Sequence, residues 1–237
     1  MKSSSHFAMA YLISAALEKR GVTLDRRSFV CGSIAPDYLP SLFFAPHFAR
    51  ACLRGIRSVS GKLAAVPFPE DGKISPASSK AFGVMCHYIC DYFCFPHNRE
   101  FSGTLKEHSA FEVQLDSFLR ENCLKLLDVE AREDIDVPRS LRGALNYIER
   151  MKREYNEKGY TFENDLCFSF NACVAVILAV VAIERRLAQL QGTSCEPELH
   201  FLRARAMGNS YIFRMFFYKN RNCDLFFLPE LMPPLFT

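Results

Sequence analysis

Apolar residues recur along this chain at three- and four-residue spacing, the period of helices packed on one side, and no stretch alternates as a strand would. A first helix is expected over about residues 5–19, with Ser3, Ser4 and Ser5 offering N-caps and Gly21 a stop. Residues 25–31 read as a short second helix. It should end in Gly32-Ser-Ile-Ala-Pro-Asp37, because Pro36 lacks a backbone donor and pushes Ala35 to extended geometry, which leaves Asp37 on a loop beside Tyr38. After an aromatic loop, Pro46-His47 opens another short helix to about Ile56.

Residues 58–77 hold Gly61, Pro67, Pro69, Gly72 and Pro76 among serines and charges without a sustained period, and read as a surface loop. Over 78–95 the row Val84, His87, Tyr88, Asp91 and Phe95 forms one helical face, and Pro96 stops the helix with His97 on the following turn. Thr104-x-x-Glu107 is a capping box that starts the next helix, whose stripe is His108, Phe111, Glu112, Leu115, Phe118 and Leu119. Pro138, the row Leu141, Leu145, Ile148 and Tyr155, and then Gly159 outline a further helix, and 162–191 the last long one. The pattern predicts an all-α, single-domain multi-helix bundle over residues 1–192, with a loop insertion at about 58–77. From Thr193 onward an aromatic, basic extension, 193–237, carries Phe213, Phe216, Phe217, Phe226, Phe227 and Phe236; it is expected to cover the core, with contact to a lipid surface as the other reading.

Composition narrows the partners. A chain of 237 residues that is 49% hydrophobic can bury one sizeable core. A formal charge of only +3, with both signs spread along the chain, gives no field that argues for nucleic acid or an anionic membrane. None of the ten cysteines forms a C-x-x-C pair. Cys86, Cys90 and Cys94 recur every fourth residue, which reads as a stripe of small buried thiols. Residues 7–17 could be mistaken for a signal-peptide core, but they read equally well as an ordinary helix, and cleavage would discard His6. With no convincing signal peptide, so many cysteines suggest a reducing compartment, hence a cytoplasmic protein with peripheral membrane association as an option. The apolar run 173–183 falls short of a membrane span and is expected to be a buried central helix.

The chemistry lies in the histidines. Five of the six, His6, His47, His87, His97 and His108, fall in the first half, near helix ends or on core stripes. His87 with Asp91, and His108 with Glu112, stand at i and i+4, so each pair shares a helix face and offers nitrogen and oxygen to one ion. A lone histidine on an apolar face is more often a hydrogen-bonded core residue. Five together with Asp37, Asp91 and Glu112 favour a metal cluster.

The series Ser-His6, Gly32-Ser-Ile-Ala-Pro-Asp37, His47, His87-x-x-x-Asp91, His97, His108-x-x-x-Glu112 resembles the bacterial zinc-dependent phospholipase C family over roughly residues 1–120. Related nucleases of the S1/P1 type have a similar ligand series. The resemblance implies an all-α fold of that type and two to three Zn²⁺ ions. Asp37, His47, His87 and Asp91 would bind the first ion, His97, His108 and Glu112 the second, and His6 the third, with Asp91 bridging to it. In secreted relatives the third ion also takes the amino group of an N-terminal tryptophan. This chain has no tryptophan, so another N-terminal group would serve there, or the third site is weakly held or empty.

The implied reaction is hydrolysis of a phospholipid head-group phosphodiester by a metal-activated water. Asp37 would be its general base or a plain ligand, while Tyr38, Phe43 and Phe44 would line the substrate mouth or simply pack. Two other readings stand beside it: a single-stranded nucleic-acid phosphodiesterase of the S1/P1 type, and a non-catalytic helical protein stabilised by metal. A di-iron bundle would need Glu-x-x-His pairs and an HD-type phosphohydrolase an adjacent His-Asp, and neither is present.

Overall fold

A computed structural model describes residues 1–38, 73–130, 137–138 and 140–190. Within them lie six α-helices, α1 (Ser3–Glu18), α2 (Arg26–Tyr38), α3 (Pro76–Tyr92), α4 (Leu105–Glu130), α5 (Leu141–Lys158) and α6 (Phe162–Leu190), and a 3₁₀ turn over Phe95–His97. The expected all-α architecture is what forms. Its β content among the described residues is a single bridge between Thr23 and Lys73. The expected short helix at 46–56, most of the 58–77 loop and the 193–237 extension lie outside the described residues.

Helix α3 is the centre. Every residue from 81 to 92 is buried, so the single core stripe expected there becomes a helix covered on all sides. Phe82, Met85 and Ile89 join Met9, Ile13 and Leu17 of α1, Phe29 of α2 and Phe170 of α6 in one core. Ser75 caps α3 by accepting from Ser78 N, and Pro76 occupies its first turn, where a missing N–H costs nothing. The helix ends at Tyr92, and Phe95 belongs to the 3₁₀ turn.

Two glycines set how closely α2 approaches α3. A Cβ on Gly32 would stand 2.1 Å from the Lys80 carbonyl oxygen, and one on Gly83 would stand 2.1 Å from the Phe29 carbonyl oxygen. Backbone therefore meets backbone at this crossing. It also explains why the expected helix stop at Gly32–Asp37 does not occur. Pro36 sits inside α2, which continues to Tyr38, because a lost backbone bond in a final turn is offset by packing along α3. Asp37 is thus on a helix end, not a loop.

The N-terminal serines also differ from expectation. Lys2 occupies the N-cap of α1 without a side-chain bond, and the three hydroxyls reach across the fold. Ser3 donates to Asp37 Oδ2 at 2.7 Å, and Ser4 and Ser5 donate to Asp116 Oδ1 of α4 at 2.8 and 2.9 Å. Gly21, at φ +71°, stops α1 as the sequence indicated.

The Thr104–Glu107 capping box forms in both directions: Thr104 N donates to Glu107 Oε2 at 2.7 Å and Glu107 N to Thr104 Oγ1 at 3.3 Å. In α6, Phe162–Ile183 is in fact long and apolar enough to cross a membrane, unlike the shorter run read from the sequence. Yet most of that stretch is buried inside the protein, so it serves as the expected central helix.

Candidate metal centre

The C-terminal half of α3 faces α1, α2 and α4, and the residues singled out for metal converge there. Asp91 (2% exposed) is the hub. Its Oδ1 lies 2.7 Å from the Met1 amino nitrogen, 3.2 Å from His6 Nε2 and 3.6 Å from His97 Nε2, and its Oδ2 lies 3.3 Å from His87 Nε2. The two oxygens of one carboxylate therefore face different sets of nitrogens. Asp37 Oδ1 approaches the same His87 Nε2 at 3.8 Å. On the other side, Glu112 Oε1 lies 3.2 Å from His97 Nε2, 3.1 Å from His108 Nε2 and 3.0 Å from Met1 N.

Local structure aims these groups. His87 Nδ1 donates to the Ser33 carbonyl at 2.9 Å across the glycine crossing. In the neutral ring this fixes the proton on Nδ1 and turns the Nε2 lone pair toward Asp91, the outer-sphere arrangement metal-binding histidines use. His6 stacks on His87 with ring centroids 3.9 Å apart. The turn carrying His97 is braced from behind. Phe95 N donates to Asp165 Oδ2 at 3.0 Å, Tyr155 OH donates to Asp165 Oδ1 at 2.6 Å, and Lys152 Nζ donates to the Tyr92 carbonyl at 2.7 Å and to Asn98 Oδ1.

Electrostatics show how tightly the charges are packed. Burial works against a charged His6, but Asp91 and the Cys90 thiol outweigh it and raise the imidazole to about 9. Burial, then the neighbouring His6, lowers His87, and burial lowers His97. Burial opposes ionisation of Glu112, yet His108, His97 and the Met1 ammonium hold its carboxyl far below the usual range. Burial likewise opposes the Met1 ammonium, and Asp91, Cys94 and Glu112 keep it charged.

These residues fit zinc. Two groups, His6 with His87 and Asp91, and Cys94 with His97 and Glu112, each bring their donor atoms within 4.8 Å of one another. Neither ring nitrogen of the buried His6 meets a hydrogen-bond partner among the described residues. An unmet buried polar group costs about 1–3 kcal/mol, and a cation between His6 and Asp91 would remove that cost. Nitrogen, carboxylate and sulfur are the donors that Zn²⁺ prefers.

Of the residues read from the sequence, His6, Asp37, His87, Asp91, His97, His108 and Glu112 come together at this locus. Tyr38 is 54% exposed at the end of α2. His47, Phe43 and Phe44 lie outside the described residues. Sequence reasoning allowed for an N-terminal group without naming the Met1 amino group, and missed the Asp165 brace and Cys94 beside His97. The Cys-x-x-His spacing of Cys94 and His97 was a usable signal for the second of these.

A family model described as zinc-dependent phospholipase C matches residues 5–162. No curated protein and no solved structure matches the chain.

Proposed function

The chain belongs to the zinc-dependent phospholipase C family and is a zinc-dependent phosphodiester hydrolase acting on phospholipid, and from that premise we propose how its own residues divide the work. The observation that carries the division is the position of Asp91 between two sets of nitrogen donors. Asp37, His47, His87 and Asp91 hold one ion, and His97, His108 and Glu112 a second. A third would rest on His6 and Asp91, and the Met1 amino group, 2.7 Å from Asp91 as an ammonium, would be a further donor on releasing a proton to solvent. When bound, zinc supplies Lewis acidity, bringing the pKa of water toward ~7 and neutralising phosphoryl oxygens.

Asp37 accepts the proton of the attacking water. Its Oδ2 is occupied by the Ser3 hydroxyl at 2.7 Å, which leaves Oδ1 for the proton, and its side chain is 23% exposed, open enough to reach water. The Ser33 carbonyl holds His87 in one tautomer throughout. Tyr38, exposed at the end of α2, contacts apolar parts of the substrate, and the same role is proposed for Phe43 and Phe44. The matched residues 5–162 fall within the single catalytic domain of residues 1–192 that we propose. The seven described cysteines, all free thiols, support a reducing, cytoplasmic setting.

The test pairs metal analysis with turnover of a chromogenic choline phosphodiester, phosphatidylcholine and single-stranded DNA. Wild type should carry two to three zinc ions and prefer the phospholipid, and Asp91→Asn should lose both metal and turnover. Asp37→Asn should lose turnover and weaken the first ion alone, leaving the ion of His97, His108 and Glu112 in place. Full activity in Asp91→Asn, or a preference for DNA, defeats this reading.

A further inference from the structure

Cys94 is the residue that the ligand series does not use. It has no exposed surface, and its sulfur lies within 4.8 Å of the donor atoms of both His97 and Glu112. The intervening backbone is a tight turn: His97 N donates to the Cys94 carbonyl at 3.0 Å, and Asn98 Nδ2 donates to the same carbonyl at 3.2 Å. Cys94-Phe-Pro-His97 thus presents a thiol and an imidazole separated by two residues on a rigid loop, a spacing zinc-chelating turns use. Asp165 and Lys152 fix that loop from behind.

A second observation marks the place as a cation site. The Met1 ammonium stands 3.0 Å from Glu112 Oε1 and 3.1 Å from His97 Nε2. A positive charge thus sits against both Glu112 and His97.

We propose that Cys94 is a sulfur ligand of the second zinc ion. This rests on the assignment of that ion to His97, His108 and Glu112, and it adds a fourth protein donor. Binding exchanges the Cys94 S–H for a zinc–sulfur bond, with the proton released to solvent. Four protein donors are the complement of a closed zinc site, whereas a catalytic ion keeps an open position. The second ion therefore holds the cluster together and gives it charge, and the attacking water belongs with the Asp37 and His87 side. A thiolate donor also shifts the preference of this position toward zinc and away from magnesium, calcium and manganese.

The experiment is cobalt substitution of the full chain followed by absorption spectroscopy, with zinc X-ray absorption on the wild type. Expected is a sulfur-to-cobalt charge-transfer band alongside the visible ligand-field bands. Cys94→Ser and Cys94→Ala should lose the charge-transfer band and keep ligand-field bands from the remaining histidines and carboxylates. Cys90→Ser should keep both, which separates Cys94 from the other thiol close to His6. Zinc X-ray absorption should show one sulfur per cluster at about 2.3 Å, in wild type and in Cys90→Ser alike. That last measurement decides the matter even where the Cys94 variants do not fold.

Cobalt bound with ligand-field bands but no sulfur band, or a sulfur band that survives Cys94→Ala or vanishes in Cys90→Ser, overturns the role of Cys94 and leaves the cluster standing. A wild-type protein that binds neither cobalt nor zinc overturns the cluster itself, and Cys94 with it.

Discussion

Replacing Gly32 by alanine sets two effects against each other. In a helix interior, alanine is favoured over glycine by about 1 kcal/mol. Here the new methyl would sit 2.1 Å from the Lys80 carbonyl oxygen, 2.9 Å from its carbon and 3.1 Å from the Gly83 Cα. These are backbone atoms and cannot rotate away, so the crossing of α2 and α3 must open by about 1 Å. Overpacking of this kind costs about 3 kcal/mol or more. The net loss is then about 2 kcal/mol, or roughly 4–8 °C in Tm for a chain of this size.

Opening the crossing also stretches the 2.9 Å bond from His87 Nδ1 to the Ser33 carbonyl beyond hydrogen-bonding range. Loss of such an outer-sphere bond lowers metal affinity about 10–100-fold. Thermal melts followed by circular dichroism, with and without zinc, give the first number, and chelator competition gives the second. A Gly32→Ala protein that melts at or above wild type and holds zinc as tightly would refute the account, for the helix-propensity gain would then have won.

Three further outcomes are expected. Burial pushes the Asp165 carboxyl up to about 6, so the folded state binds a proton the unfolded chain has released. The neutral form favours the fold, and stability falls as pH rises from about 4 to 6, by about 3 kcal/mol in all. Asp165→Asn, whose amide oxygen can accept from Phe95 N while its NH2 donates to the Tyr155 hydroxyl oxygen, should flatten that fall in urea midpoints measured across this range; an unchanged slope means Asp165 does not cause it. Thr104→Ala removes one half of the capping box and should cost about 1 kcal/mol in denaturant unfolding without changing zinc content, so loss of zinc would show that the cap does more than start α4. Stripping zinc with a chelator should lower Tm by roughly 5–10 °C relative to protein at 100-fold excess over its Kd, since such saturation contributes about 2.7 kcal/mol, and re-added zinc should restore it.

Local signals in the sequence were read well where the cause is local. The Thr104–Glu107 box, the Gly21 stop and the i, i+4 placement of His87 with Asp91 and of His108 with Glu112 depend on a few neighbouring residues. What the sequence did not reveal depends on partners far along the chain. Pro36 looked like a helix stop because nothing near it tells that Gly32 packs on Lys80 and Gly83. Ser3, Ser4 and Ser5 looked like caps because their acceptors, Asp37 and Asp116, are 34 to 112 residues away. Cys94 looked like one of three buried thiols at four-residue spacing. Cys86 and Cys90 are indeed buried, and only the turn after α3 separates Cys94 from them by placing it next to His97.

The metal donors come from α1, α2, α3, the 3₁₀ turn and α4, from His6 to Glu112. The donors of the second ion all fall within residues 94–112, but no contiguous stretch carries those of the whole cluster, so a chain emerging from the ribosome at about 5–20 residues per second cannot complete it until α1, α2 and α4 have docked on α3. Contacts of such long sequence separation form late in folding. The ion held by His87, Asp91 and Asp37 is then captured by an already collapsed bundle and does not nucleate it. Folding rates should accordingly be nearly independent of zinc, while unfolding slows as the metal is loaded.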